Sequence, residues 1–204
     1  MNKSESKGTV EYAALIGVDW AAEKHDTCLW DAATGNELRQ LAGQGCGDLD
    51  LPPPGCGINS AAYSPDGKQI VTANYEGMAR IWDAVTGQEV RQLRGHSGYV
   101  QTATFSPDGQ QIITTGDDGT ARIWDATTGA QLRLITEDTG RVLSAAFSPD
   151  GKSIVTAGCE RIAGLDNCFA AVRVWDAAPK SEVTQFGDSF NGFSSAVYSP
   201  DGQF

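Results

Sequence analysis

The chain reads as an all-β protein built from repeated four-stranded antiparallel sheets stacked around a common axis, and three observations predict it. Ser-Pro-Asp-Gly occurs four times, beginning at Ser64, Ser106, Ser148 and Ser199, at spacings of 42, 42 and 51 residues. Trp-Asp also occurs four times, at Trp30-Asp31, Trp82-Asp83, Trp124-Asp125 and Trp175-Asp176, spaced 52, 42 and 51. Glycine supplies 24 of 204 residues, well above the usual share of about 7%, and so many glycines require many turns. From each Ser to the following Trp is 18 residues in two units and 27 in the third. The underlying period is therefore 42, and the excess is insertion.

The middle unit shows the elements in order. Val100 to Phe105 alternates as a strand and stops at Pro107-Asp108-Gly109, where proline sets φ, Asp closes a turn through its side chain and glycine supplies positive φ. Ile112 to Thr115 is a second, β-branched strand, ended by Gly116-Asp117-Asp118-Gly119, an Asp-Gly hairpin signal. Thr120 to Asp125 is a third strand, stopped by Thr128-Gly129, and Gln131 to Ile135 a fourth. Four short strands cannot close a core singly, whereas identical sheets packed face to face around an axis can. The pattern predicts strands over 58–63, 69–73, 79–83 and 88–93, again 42 residues later, and once more with a longer second-to-third connection. Each Trp is expected to pack between adjacent sheets.

These residues resemble the WD40 repeat family. The resemblance is carried by Gly95-His96, the Ser-Pro-Asp-Gly turns, Asp118-Gly119 and the endings Ala79-Arg80-Ile81-Trp82-Asp83, Ala121-Arg122-Ile123-Trp124-Asp125 and Val172-Arg173-Val174-Trp175-Asp176. It covers about residues 58–204, with a weaker copy at Cys28 to Leu41. It implies a β-propeller whose blades present loops to other macromolecules, a non-catalytic protein–protein interaction scaffold. It also implies a structural hydrogen-bonded set, complete only in the middle blade as His96, Thr114, Asp118 and Trp124. The preceding blade keeps Thr72 and Trp82 but has Glu76 at the Asp position; the following one keeps Thr156 and Trp175 while Cys159 to Ala171 replaces its hairpin turn.

The expected organisation is a disordered tail at 1–10, a degenerate or partial first blade with a Cys/Gly/Pro-rich loop at 11–57, blades at 58–95, 98–137 and 142–187 (the last with an insertion at 159–171), and the start of a further blade at 194–204. Three complete blades with partial blades at both ends suggest a fragment of a longer propeller, and a ring of four is the alternative. Residues 12–26, with Asp19 following a short apolar run, additionally resemble the opening of RuvC-like insertion-sequence transposases, in which such an Asp helps bind catalytic Mg²⁺. One carboxylate does not make that site. A remnant of a Mg-dependent DNA transposase fused to WD repeats is therefore one alternative function, and a regulatory or sensor segment of a larger multidomain protein is another.

Other chemistry finds little support. Fifteen Lys and Arg against 26 Asp and Glu give a net charge of −11, with no basic run to attract phosphates, so no nucleic acid is expected. No apolar stretch approaches the roughly 18 to 20 residues that span a bilayer, and the N-terminus lacks a signal-peptide core; no membrane partner and a cytoplasmic location are expected. Cys28, Cys46, Cys56, Cys159 and Cys168 are an odd count without Cys-x-x-Cys, which argues against a zinc site. Cys46/Cys56 and Cys159/Cys168 bracket the two insertions as disulfides or as free thiols. His25 has no nucleophile in a recognisable motif beside it, and the glycine-rich turns lack the Lys and the helix of a phosphate cradle. No catalytic residue, metal or cofactor is assigned. The apolar loop residues Leu49, Leu51, Leu165 and Phe169 are the candidate contacts for a protein partner, because a merely solvated loop does not need them. Both insertions are expected to rise from one rim, with the Ser-Pro-Asp-Gly turns on the other.

Overall fold

A computed structural model describes residues 14–18, 27–31, 37–41, 57–136, 140–161, 168–178, 182–189 and 195–199. Its side-chain detail covers 57–136, 140–158, 171–178 and 195–199. Every regular element among them is a strand. A three-stranded sheet holds β1 (Ala14–Val18), β2 (Thr27–Asp31) and β3 (Glu37–Leu41). The second blade comprises β4 (Ile58–Tyr63), β5 (Gln69–Asn74), β6 (Met78–Asp83) and β7 (Glu89–Arg94). The middle blade comprises β8 (Val100–Phe105), β9 (Gln111–Gly116), β10 (Thr120–Asp125) and β11 (Gln131–Thr136). The fourth comprises β12 (Arg141–Phe147), β13 (Ser153–Arg161), β14 (Cys168–Asp176) and β15 (Glu182–Ser189). All are antiparallel meanders in chain order, and in the second and middle blades the boundaries fall within two residues of the 42-residue expectation.

The turns form for the reasons their residues suggest. In each described Ser-Pro-Asp-Gly turn the glycine has φ near +70° (Gly67, Gly109, Gly151), a region that costs other residues about 1–2 kcal/mol. The Ser hydroxyl donates to the Asp carboxylate, as Ser106 does to Asp108 Oδ1 at 2.6 Å, and accepts the backbone N–H five residues on, Gln111 in that case, at 2.9 Å. Just before each Trp the ladder between third and fourth strand slips by one residue, at Ile81/Trp82, Ile123/Trp124 and Val174/Trp175. Such a bulge raises local twist.

The core lies between sheets. Trp124, 2% exposed, packs with Val71, Ala73, Ala79, Ile81 and Leu93 of the preceding blade, and Trp175 sits against the cluster of Ile113, Ala121, Ile123 and Ile135. The innermost strands are also tied, since Ala103 N–H donates to Ser60 Oγ at 3.4 Å and Asn59 Nδ2 to the Val100 carbonyl at 2.8 Å. On the outside, Arg91 of β7 donates to the Thr128 carbonyl in the next blade at 2.8 Å, and Arg133 of β11 reaches the carbonyls of Asp176 and Ala178 one blade further on. β7 and β11 thus each latch onto the third-to-fourth-strand turn of the next blade.

Two expectations are corrected. Cys159 to Ala171 is not simply a loop: β13 and β14 run to nine residues each, with Cys159 opposite Ala170, Glu160 opposite Phe169 and Arg161 opposite Cys168. The insertion prolongs the hairpin because Cys159-Glu160-Arg161 and Cys168-Phe169-Ala170 can continue the ladder, leaving 162–167 outside the described residues. Ser195 to Tyr198, expected as a strand, is irregular, and its Ala196 N–H donates to a side chain, Ser144 Oγ, at 3.1 Å rather than to a ladder carbonyl.

The latch generates a prediction. A methyl group on Gly129 (φ +74°) would collide with Arg91 Cδ, whereas one on Gly67 (φ +69°) meets nothing within 4 Å. Both Ala substitutions carry the backbone cost of about 1–2 kcal/mol, and Gly129→Ala must also displace Arg91. Its urea midpoint should fall clearly below that of Gly67→Ala at an unchanged m-value; equal midpoints would rule out the latch as a stabilising contact.

Candidate functional site

The middle blade holds a continuous chain of hydrogen bonds. Trp124, at the end of β10, donates its indole N–H to Thr114 Oγ1 in β9 at 2.8 Å. Thr114 Oγ1 lies 2.8 Å from His96 Nε2, and His96 Nδ1 lies 2.9 and 3.1 Å from the two carboxylate oxygens of Asp118. The direction follows from chemistry. A carboxylate only accepts, so Nδ1 carries the proton; Nε2 then accepts from the Thr114 hydroxyl, which in turn accepts from the indole. Asp118 is further held by Thr120 Oγ1–H at 2.8 Å and by the Ser97 backbone N–H at 3.1 Å.

Burial, the largest influence on His96, holds its pKa below the usual histidine value, although the bond to Asp118 works the other way. For Asp118, burial alone would raise the pKa, but the hydrogen bonds from His96 and Thr120 outweigh it and leave the carboxyl below the ordinary range. The set is therefore a neutral imidazole on a carboxylate. With both ring nitrogens committed, His96 has no lone pair to offer as a general base.

Sequence reasoning missed two glycines that make room for this arrangement. A methyl group on Gly116 would lie 2.5 Å from His96 Nδ1 and 2.8 Å from Asp118 Oδ1; one on Gly95 would lie 2.8 Å from an Arg122 nitrogen and 3.1 Å from the Trp124 ring. The signal was available, because the second blade has Asn74 at the Gly116 position. There Glu76 accepts from Asn74 Nδ2 at 3.2 Å and pairs with Arg80 at 2.7 Å. The flanking blades keep the inner step: Trp82 donates to Thr72 at 2.8 Å and Trp175 to Thr156 at 2.9 Å.

The two ends of the stack differ. At one, the Ser-Pro-Asp-Gly turns adjoin the third-to-fourth-strand turns, as in Ala126 N–H to the Gln110 carbonyl at 2.9 Å. At the other, the second-to-third-strand hairpins meet the loops that enter each blade. Asp117 N–H donates to the Tyr99 carbonyl at 2.9 Å, the Asp117 side chain takes Gln101 Nε2 at 2.7 Å and lies 3.7 Å from Arg141 Nε, and the Tyr75 and Tyr99 rings meet edge to face at 5.0 Å. Of the candidate partner contacts, Leu49, Leu51 and Leu165 lie outside the described residues, and Phe169 is placed by backbone alone, in β14. Cys46, Cys56, Asp19 and His25 also lie outside them. The β13–β14 register sets Cys159 and Cys168 diagonally, where strand positions are about 7–8 Å apart, beyond the usual disulfide span of about 4.4–6.8 Å.

Stacked four-stranded blades, each with a buried or half-buried Trp bonded to a Thr of its second strand, define a β-propeller protein of the repeat type. The chain belongs to the WD40 family: the profile described as WD domain, G-beta repeat matches residues 50–83, 87–125 and 129–165. Among curated relatives it is similar to a Notchless protein homolog of Arabidopsis thaliana, 44% identical over 41 residues, and to WD repeat-containing protein 86 of Homo sapiens, 43% identical over 44 residues. An uncharacterised WD repeat-containing protein of Nostoc is 38% identical over 45 residues. Each alignment covers 20–22% of this chain and 9%, 12% and 3% of the respective relative, about one repeat in each. The second match, 87–125, spans β7 to β10, so the sequence repeat runs one strand out of phase with the blade.

Two predictions follow from the hydrogen-bond chain. Removing one member strands buried partners, at about 1–3 kcal/mol; His96→Ala and Gly116→Ala should each lower the melting temperature far more than Asp117→Ala, whose side chain acts nearer the surface. Equal small shifts would contradict the chain. The second concerns pH. Because His96 is depressed in the folded state, the unfolded chain binds the extra proton first, and stability should fall as pH drops below about 6.5. The depressed Asp118 adds loss of the same sign at lower pH, beneath the ordinary Asp value of 3.8. A melting-temperature profile should therefore begin to fall below about pH 6.5 in the wild type and flatten there in His96→Ala; identical slopes would refute the assignment.

Proposed function

We propose that the chain is a non-catalytic protein–protein interaction scaffold that takes its partner at the end where the second-to-third-strand hairpins open. The observation that carries this reading is the Tyr75–Tyr99 pair. It bridges two blades edge to face, with Tyr99 42% exposed. Tyrosines at an exposed seam supply apolar area with a hydrogen-bonding tip at little entropic cost, the chemistry of an interface anchor. Asp117 and Arg141 beside them supply a polar rim. The prolonged β13–β14 hairpin opens at the same end, and Leu49, Leu51, Leu165 and Phe169 are proposed as further contacts for the partner.

The opposite end is less suited to the task, because its Ser, Asp and Gly residues are bonded to one another within each turn. Among the described residues no helix is long and apolar enough to cross a membrane. The acidic balance of −11 supports a protein rather than a nucleic-acid partner. The offset of Cys159 from Cys168 agrees with free thiols and a cytoplasmic setting.

The test is affinity capture followed by titration of whichever protein is recovered. Tyr75→Ala with Tyr99→Ala, or replacement of Gly158 to Ala171 by the four-residue turn of the middle blade, should weaken binding at least about tenfold, a loss of about 1.4 kcal/mol, with the melting temperature of the tyrosine variant nearly unchanged. Unchanged affinity in both would place the recognition surface elsewhere.

A further inference from the structure

We infer that the outer strand of the middle blade lines a second protein-docking cleft, separate from the hairpin end, which takes an extended partner segment pairing an aspartate or glutamate with apolar side chains. The register across the four sheets shows where this blade departs from the others. On the outer strand the residue opposite the Trp is Glu37, Glu89 and Glu182 in the other three sheets, but Gln131 in the middle blade. Opposite the position two before the Trp stand Gln40, Gln92 and Gln185, but Leu134 in the middle blade. A carboxylate is exchanged for an amide, and an amide for a leucine.

The first exchange alters the surroundings of an arginine. Arg80 of the second blade lies between two carboxylates, Glu76 at 2.7 Å and Glu89 at 3.1 Å. Arg122, its counterpart 42 residues on, is bonded to neutral oxygens, Gln131 Oε1 at 2.7 Å and Thr120 Oγ1 at 3.3 Å. The carboxylate it approaches, Asp118 at 3.5 Å, is already held by His96, Thr120 and the Ser97 N–H. The Arg122 side chain is 15% exposed against 8% for Arg80. Solvent therefore reaches a guanidinium whose planar fork suits a carboxylate supplied from outside.

The second exchange supplies apolar area beside it. Directly opposed residues of an antiparallel ladder share a face, so Leu134 lies on the face of Arg122, and Trp124, two residues further along β10, turns that face toward the second blade. Leu134 and Leu132 are 46% and 53% exposed, on the edge strand of their sheet. Between the outer strands β7 and β11 runs a cleft with the buried Leu93 and Trp124 at its base, and Arg91 crosses it to the Thr128 carbonyl. A methyl group on Gly95, in the loop from β7 to β8, would come within 2.8 Å of Arg122 Nη1, which sets the guanidinium in the seam between the two blades. A partner carboxylate there supplies the charge that Glu89 supplies to Arg80, and apolar neighbours in the same segment cover the leucines. The net charge of −11 disfavours an acidic segment over the rest of the surface, so the cleft is selective for it.

The experiment uses the 204-residue chain and, as the probe, a random decapeptide display library selected on the wild type after depletion on Gln131→Glu with Leu134→Gln, the variant that restores the pattern of the other blades. Enriched peptides should carry Asp or Glu beside Leu, Ile, Val or Phe. A synthetic peptide of that consensus should lose at least about tenfold in affinity with Arg122→Gln, with the restored variant, or with an amide in place of its own acid, while Tyr75→Ala with Tyr99→Ala leaves its affinity unchanged. The restored variant should melt at or above the wild-type temperature, because Arg122 gains a carboxylate and an exposed leucine is removed. Enrichment of peptides without an acid, no enrichment, or full affinity in Arg122→Gln overturns the cleft. So does a restored variant that melts lower, which would assign both exchanges to the fold. A loss confined to the tyrosine variant would place the peptide at the hairpin end, overturning the cleft while leaving the proposed function standing.

Discussion

Burying a tryptophan between two sheets removes its indole N–H from water, and that donor must find an acceptor inside the blade. For each tryptophan whose side chain is described the acceptor is a threonine on the adjacent strand: Thr72, Thr114 and Thr156 take Trp82, Trp124 and Trp175 at 2.8–2.9 Å. The pairing sets the register between second and third strands, and the register sets which side chains face the next blade. A one-residue slip would turn every apolar residue of the strand away from its neighbour. In the middle blade the constraint extends outward through His96 to Asp118 and ties the incoming loop to the hairpin. Gly116 is required there because histidine occupies the space a side chain would fill.

No blade is complete without its neighbours. The apolar face of each sheet is closed by the tryptophan of the next, the innermost strands bond across at Ser60 and Asn59, and Arg91 and Arg133 reach forward from the outermost strands. The one-strand offset between sequence repeat and structural blade has the same effect, because a single repeat contributes its leading strand to one sheet and three strands to the following one. Stability in such a stack belongs mainly to interfaces.

The two ends therefore have different freedom. Where the Ser-Pro-Asp-Gly turns lie, hydrogen bonds from Ser64, Ser106 and Ser148 hold the carboxyls of Asp66, Asp108 and Asp150 below the ordinary range, so these turns stay charged and internally bonded at neutral pH. At the hairpin end β13 and β14 each run three residues longer than their counterparts β9 and β10. Tyr75, Tyr99, Asp117 and Arg141 meet there from two hairpins and two incoming loops, and a surface of that kind can vary without disturbing the core.

The sequence by itself determined the repeat, the class of fold and nearly every strand, because turn chemistry is local: proline, Asp and a glycine at positive φ end a strand wherever they occur. It also named His96, Thr114, Asp118 and Trp124, since their spacing repeats a known pattern. Only the tertiary structure decided their order of donation, which depends on the approach of two strands and a loop. The tertiary structure also revealed the roles of Gly95 and Gly116, whose function is the space they leave, and the forward latch of Arg91, whose partner lies in another repeat. The hairpin at Cys159 likewise escaped local reading: whether β-competent residues form a strand depends on whether a neighbouring backbone is there to receive their hydrogen bonds.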